Sequence, residues 1–271
     1  MNRGLIGKIV REVWPVTLVI TFAVMAFETI LAYILGSFHE QVIDQLTQFT
    51  FVQPIFEALL GVEFGPDIGL AVLSSLAWVH PVILALVWGH TLTFCTRASA
   101  GEIDRGTIDF LLGLPVSRWR LYACDTVVFL ASGVLIIGAG LIGWTWGSAT
   151  VPTEMRIPSD RLMVVVVNFY CLYLAVGGLA YLVSSLSERR GRAIAVVLGF
   201  VLSSMLLNFI TQFWEPARHI SFLGILHYYR PAAIIQAGTW PTGNMVVLLL
   251  SGGLLWLSGG LVFARRDICT V

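Results

Sequence analysis

The sequence predicts an all-α integral membrane protein that crosses the bilayer six times, and three observations carry that prediction. Of 271 residues, 57% are hydrophobic and only 12% charged, whereas an ordinary soluble domain carries about a quarter charged residues. The mean hydropathy is +0.86, and the apolar residues gather in runs of about twenty, the length a helix needs to cross the hydrocarbon core. The runs are apolar all round and contain glycine, whereas membrane-barrel strands would alternate apolar and polar positions.

The elements follow in order. Residues 4–14 mix Leu5, Ile6, Ile9, Val10 and Val13 with Lys8, Arg11 and Glu12, which suits an N-terminal interfacial helix. Pro15 then marks the turn into the first span, since proline is tolerated at a helix start. Spans are expected at residues 16–36, 70–96, 119–147, 162–186, 193–213 and 245–264, all within one transmembrane domain covering 1–271. The first span follows a basic stretch, as a signal peptide does, but it has spanning length and no A-x-A site follows, so it is expected to be retained. Pro81 predicts a kink in the second. Residues 49–62 and 220–237 are also apolar but are broken by Gln53 and Pro54, and by His227, Arg230 and Pro231. They read as re-entrant or interfacial segments on the outer side.

Basic residues set the expected orientation. Arg3, Lys8, Arg11, Arg97, Arg105, Arg118, Arg120, Arg189, Arg190, Arg192, Arg265 and Arg266 fall on one side of the predicted spans, and Arg156, Arg161, Arg218 and Arg230 on the other. This asymmetry places both termini and two loops in the cytoplasm. Residues 38–68 carry Glu40, Asp44, Glu57, Glu63 and Asp67 with no Lys or Arg, and are expected outside. With a net charge of zero and no concentrated basic face of the kind that grips phosphates, no nucleic-acid partner is expected. Cys95, Cys124, Cys171 and Cys269 form no CxxC pair, which suggests neither a zinc site nor a redox motif. His80 and His90 are ten residues apart and point about 80° away from each other on a helix, a poor geometry for a shared metal. No metal site is expected.

The first cytoplasmic loop is the most informative segment. At 100° per residue, Glu102, Arg105 and Asp109 share one helical face and Ile103, Thr107, Phe110, Leu111 and Leu114 the other, so a short amphipathic helix is expected over residues 100–114. Pro115 ends it, Ser117 is placed to cap the next helix, and Trp119 to anchor that helix at the interface. Periodicity alone leaves two readings open, a lever that converts a push from a bound protein into a tilt of two spans and a simple interfacial anchor. The residue pattern adds more. Glu102, Gly106, Thr107, Asp109, Leu111, Leu112, Pro115, Ser117 and Arg118 resemble the G-E-x-x-x-G-T-x-[DE]-x-L-L-x-x-P-[VIL]-[ST]-R signature of the permease subunits of the ATP-binding-cassette type-two exporter family of bacteria. The resemblance continues in residues 184–192, 223–231 and 263–268.

That resemblance implies a multi-pass inner-membrane permease whose loop helix docks on an ATP-binding subunit, with Glu102, Arg105, Asp109 and Arg118 as candidate contacts and Gly106, Thr107, Pro115 and Ser117 shaping the motif. It implies a second permease copy or homologue and two separate ATP-binding subunits that hold ATP and Mg. The chain itself contains no G-x-x-x-x-G-K-[ST] phosphate loop, so ATP hydrolysis is expected in a partner and the chain is not expected to be an enzyme.

Polar residues within the spans complete the reading. Glu28 costs the first span about 2.5 to 3.5 kcal/mol, less than or comparable to the gain from the apolar residues around it. It could face a cargo or proton path, or be a packing residue. Tyr170, Tyr173, Gly177, Tyr181 and Ser184 fall within about 80° of arc, a stripe that could line a pathway or pack on a neighbouring helix. Gly143 and Gly147 form a GxxxG, and Ser251 and Ser258 each precede two glycines, which predicts close helix packing. A secondary transporter or channel would need paired intramembrane carboxylates or matching broken helices, and an intramembrane protease a nucleophile beside a base; neither pattern is seen. A non-transporting membrane scaffold is a further alternative.

Overall fold

The computed structural model describes residues 3–37, 74–106, 108, 113, 115–151, 153, 156–211 and 213–266. Among them all regular secondary structure is helical: α1 (Arg3–Ser37), α2 (Pro81–Cys95), α3 (Arg118–Gly147), α4 (Ser159–Leu186), α5 (Arg190–Ile210) and α6 (Thr242–Arg265), with shorter turns between them. Five of these, all but α2, are long and apolar enough to cross a membrane. The four from α3 onward begin and end within three residues of the expected spans, because in lipid a continuous apolar run has no alternative to an internally hydrogen-bonded helix.

The first two predicted spans differ from expectation. No separate interfacial helix precedes the first: α1 is one 35-residue helix with Pro15 inside it. Its buried face, Leu5, Ile9, Val13, Thr17, Thr21, Val24, Glu28, Ala32 and Leu35, runs without interruption past Pro15. The amphipathic start therefore lays its apolar stripe on the protein, and that packing outweighs the one hydrogen bond a proline removes. At 1.5 Å per residue α1 is about 52 Å long, well beyond a bilayer core.

The second predicted span is not a continuous helix. A four-residue helix, Leu76–Val79, stops at His80, whose backbone is extended (φ −59°, ψ 132°), and Pro81 opens α2. The His80 side chain caps α2 by accepting from the Val82 N–H at 3.2 Å. Pro81 thus starts a helix, as its missing N–H and fixed φ favour, and does not kink one. The 15 residues of α2 reach only about 22 Å. It lies in the middle of the molecule, packed on α1 and α4, with Ile83, Val87, Thr91 and Cys95 fully buried.

Glycine notches hold two helix pairs together. A Cβ on Gly143 would lie 2.3 Å from the Met25 carbonyl oxygen and one on Gly147 2.2 Å from that of Thr29, so the GxxxG of α3 is where α1 crosses it. A Cβ on Gly178 of α4 would lie 2.1 Å from the Gly252 carbonyl oxygen of α6. Only backbones free of side chains approach this closely. In contrast α5 buries only Ala193, Val197, Val201 and Ser204.

Residues 215–238 form short turns and the helix Pro231–Ala237, which ends on left-handed Gly238 (φ 63°). None of these pieces spans. The segment packs inward, the Tyr229 hydroxyl donating to the Trp78 carbonyl at 2.9 Å and Asn168 Nδ2 of α4 to the Tyr228 carbonyl at 3.3 Å. The other segment expected to be re-entrant, 49–62, lies outside the described residues.

Candidate functional site

Six helix termini meet at one end of the bundle, and the loop that follows α2 ties them together. After Cys95 the chain stays coiled through a π-helical turn, Arg97–Gly101, and then Glu102–Asp104. The Ser99 hydroxyl donates to the Ser184 carbonyl at 3.1 Å, and the Ala100 N–H to the Ser184 hydroxyl at 3.2 Å, fastening the turn to the end of α4. Arg190, the first residue of α5, donates to the Thr93 carbonyl at 2.9 Å and to the Thr96 hydroxyl at 3.3 Å.

Arg97 is the centre of this end. Its guanidinium pairs with Glu12 of α1 and with Asp125 of α3. The Tyr181 hydroxyl of α4 donates to the other Asp125 oxygen at 2.9 Å. Three helices, α1, α3 and α4, thus converge on one cation, and Asp125 is almost wholly buried (2% exposed). A buried carboxylate is tolerated when it is paired and hydrogen-bonded, as here.

Beside this network is a cleft of about 350 Å³ lined by Glu12, Val13, Val16 and Thr17 of α1, His90, Thr93 and Phe94 of α2, and Arg97, Arg105 and Arg190. At its inner wall, His90 lies 3.2 Å from the Thr17 hydroxyl and 3.3 Å from that of Tyr173. Among the described residues no three of His, Cys, Asp and Glu converge as a metal site, and His80 and His90 have separate partners.

A family model for ABC-2 family transporter proteins matches residues 6–239. The chain belongs to the ABC-2 transporter family. No curated protein matches it. It is accordingly a multi-pass membrane subunit of an ABC-type transporter, in a family whose membrane components work with ATP-binding cassette subunits and are generally not themselves catalytic.

In this ABC-2 subunit the motif residues divide by role. Glu102 is buried and holds exposed Arg105 by an ion pair of 2.8 Å. Gly106 takes a left-handed φ of 68° and its N–H bonds the Ile103 carbonyl at 3.0 Å, which ends the turn in the way glycine C-caps do. The amphipathic helix expected over 100–114 is therefore interrupted at Gly106; Thr107 and Asp109 lie outside the described residues. Pro115 is exposed. Ser117 caps α3 as expected, its hydroxyl accepting from the Arg120 N–H at 3.3 Å. Arg118 points back into the subunit, donating to the Phe263 and Arg266 carbonyls at the end of α6.

The intramembrane candidates are packed. Tyr173 donates to the Phe129 carbonyl at 3.1 Å, and Tyr170 to that of Leu130 at the same distance, so both lie along α3, as Tyr181 does. Glu28 is fully buried, close to the position a Cβ on Gly140 would take, and neither carboxyl oxygen has a hydrogen-bond partner. Sequence reasoning missed Asp125 and the role of Arg97. The signal was present, since Asp125 is a carboxylate inside a predicted span and such a residue needs a partner; Arg97 was counted only toward the charge asymmetry.

Proposed function

We propose that this chain is the permease of an ABC exporter, that two copies or homologues form the translocation pathway, and that separate ATP-binding subunits dock at the basic end and drive it. The observation that carries this reading is the bonding of residues 93–118 to the long helices: Thr93 to Arg190 of α5, Arg97 to α1 and α3, Ser99 to α4, and Arg118 to α6. A displacement applied there reaches all of them, as a coupling element requires. The charge asymmetry orients this end to the cytoplasm of a bacterial cell. Exposed Arg105 is the contact with the partner, and Glu102 the residue that aims it. Glu28 and the three tyrosines serve packing.

The outer face of α5 offers a second copy a surface to pack on. Leu198, Leu202, Leu206 and Phe209 on α5 are all exposed, and in a dimer part of that surface faces the partner permease instead of lipid. The test is co-purification in mild detergent of the chain expressed with its neighbouring genes, followed by an ATPase assay. An ATP-binding subunit recovered in equal amount, and lost with Arg105→Glu, is the expected result. A chain that purifies alone, with no ATPase activity, sinks the reading and leaves a stand-alone transporter or scaffold.

A further inference from the structure

We propose that the cleft between α1, α2 and the start of α5 is a binding site for an amphipathic anion, a phosphate- or carboxylate-headed molecule with an apolar tail. The cleft combines two chemistries. Arg97, Arg105 and Arg190 line it with Glu12 as the carboxylate beside them, and Val13, Val16 and Phe94 supply apolar lining, Phe94 directly beneath the Arg97 guanidinium. Three of the acids nearby are already engaged, Glu12 by Arg97 and Lys8, Asp125 by Arg97, and Glu102 by Arg105.

Arg190 has no such partner. Its hydrogen bonds go to a carbonyl and a hydroxyl, Asp104 faces it only at longer range without an ion pair, and it shares the cleft with two further guanidiniums. The Arg97 Nε–H is likewise buried without an acceptor. Arginine suits an oxyanion with several acceptor atoms, because its planar fork delivers parallel hydrogen bonds.

Size and setting decide between a bare anion and an amphiphile. About 350 Å³ is at the lower end of the volumes that hold small organic ligands and far more than one inorganic ion requires. Val16, part of the lining, is itself exposed on α1, as are Val19 and Phe22 further along the same helix. A headgroup seated against the arginines can lay its chain along that helix. Two sources share this chemistry, a phospholipid of the surrounding leaflet and an exported amphiphile.

The experiment uses the full chain in detergent, with a co-purified partner only for the last arm, and measures binding of dioctanoyl phosphatidylglycerol, dioctanoyl phosphatidylcholine and inorganic phosphate by thermal shift and native mass spectrometry. Phosphatidylglycerol is expected to bind about tenfold more tightly than phosphatidylcholine, and Arg190→Gln to remove that preference, the size of effect one charge-assisted hydrogen bond gives. Val16→Trp, which fills the cleft from an exposed position, is expected to weaken phosphatidylglycerol similarly and guards against misfolding of the arginine variant. Equal binding of the two lipids, or no response to either variant, overturns the site. Protection by phosphate alone as strong as by phosphatidylglycerol overturns the amphiphile. A final arm adds ATP: release of the bound lipid on hydrolysis identifies the cargo route, and retention a resident lipid, and both outcomes support the site. Only this arm rests on the exporter reading, so its result separates from the binding result.

Discussion

Replacing Asp125 by asparagine tests the network around Arg97 most directly. The variant keeps the volume and an acceptor for the Tyr181 hydroxyl but removes the charge that faces the guanidinium. Breaking a buried ion pair costs about 3 to 5 kcal/mol when the remaining charge is left without a partner. Here the side chain of Asp125 is 2% exposed and that of Arg97 12%, but Glu12, at 35%, still holds Arg97, so a loss of roughly 2 to 3 kcal/mol is expected. Glu12→Gln removes the solvent-screened partner and should cost less than about 1 kcal/mol. The double variant Arg97→Gln, Asp125→Asn deletes both charges and should be more stable than the sum of the single losses predicts by at least about 1 kcal/mol. The assay is reversible unfolding in mixed micelles titrated with a denaturing detergent. Equal losses for Asp125→Asn and Glu12→Gln, or additivity of the two single variants, would refute the argument that Asp125 carries the network.

Gly143→Val puts a side chain against the α1 backbone at Met25 and should lower the unfolding midpoint strongly, by more than about 2 kcal/mol, whereas Gly138→Val on the same helix meets nothing within 4 Å and should be nearly neutral. Ser117→Ala should cost about 1 kcal/mol through loss of the α3 cap, visible as faster amide exchange at Arg118 to Arg120. Glu28→Met should stabilise by about 1 to 3 kcal/mol, because it removes a buried carboxyl without a partner; a destabilised variant in the same assay would reveal a polar partner for it. Burial, and then Arg230, hold the His227 imidazole below its ordinary value of 6.5, and the Arg230 guanidinium donates to its Nδ1 at 3.0 Å. The folded state therefore binds the proton less readily than the unfolded one. This contribution to stability is complete above the ordinary value and is lost as pH falls below it toward the lower folded value. His227→Gln should flatten the fall in unfolding midpoint on acidification; an unchanged slope rules the group out.

The long spans were legible because a run of twenty apolar residues has one solution in lipid, and α3 to α6 follow their runs closely. Local chemistry was legible too, in the cap at Ser117 and the notches at Gly143 and Gly147, since both depend on residue type at one position. What composition hides is continuity. The charges in residues 4–14 read as a surface segment, yet the stripe from Leu5 to Val13 continues the packing face of the span, and that register becomes meaningful only when a partner surface lies beneath it. At His80 and Pro81 the reverse holds: hydropathy runs on, but a side-chain cap and a proline without an N–H end one helix and start another. The π-helical turn at Arg97 is fixed by bonds to Ser184, a residue 85 positions away for Ser99, and no local pattern announces it. Asp125 was visible as a letter, and its partner was not, because the pair is joined only by the fold.

The break at His80 has a mechanical consequence. From Pro81 to Arg97 the chain is a stiff coil roughly 24 Å long, free of a helical connection at its far end. Turning about that point by about ten degrees would sweep Arg97 through about 4 Å, more than a hydrogen bond can stretch before it is lost. Asp125 must then either travel with Arg97 or release it, so this contact, with the bonds of Ser99 to Ser184 and of Arg190 to Thr93, sets how hard the basic end must be driven before the middle of the subunit answers.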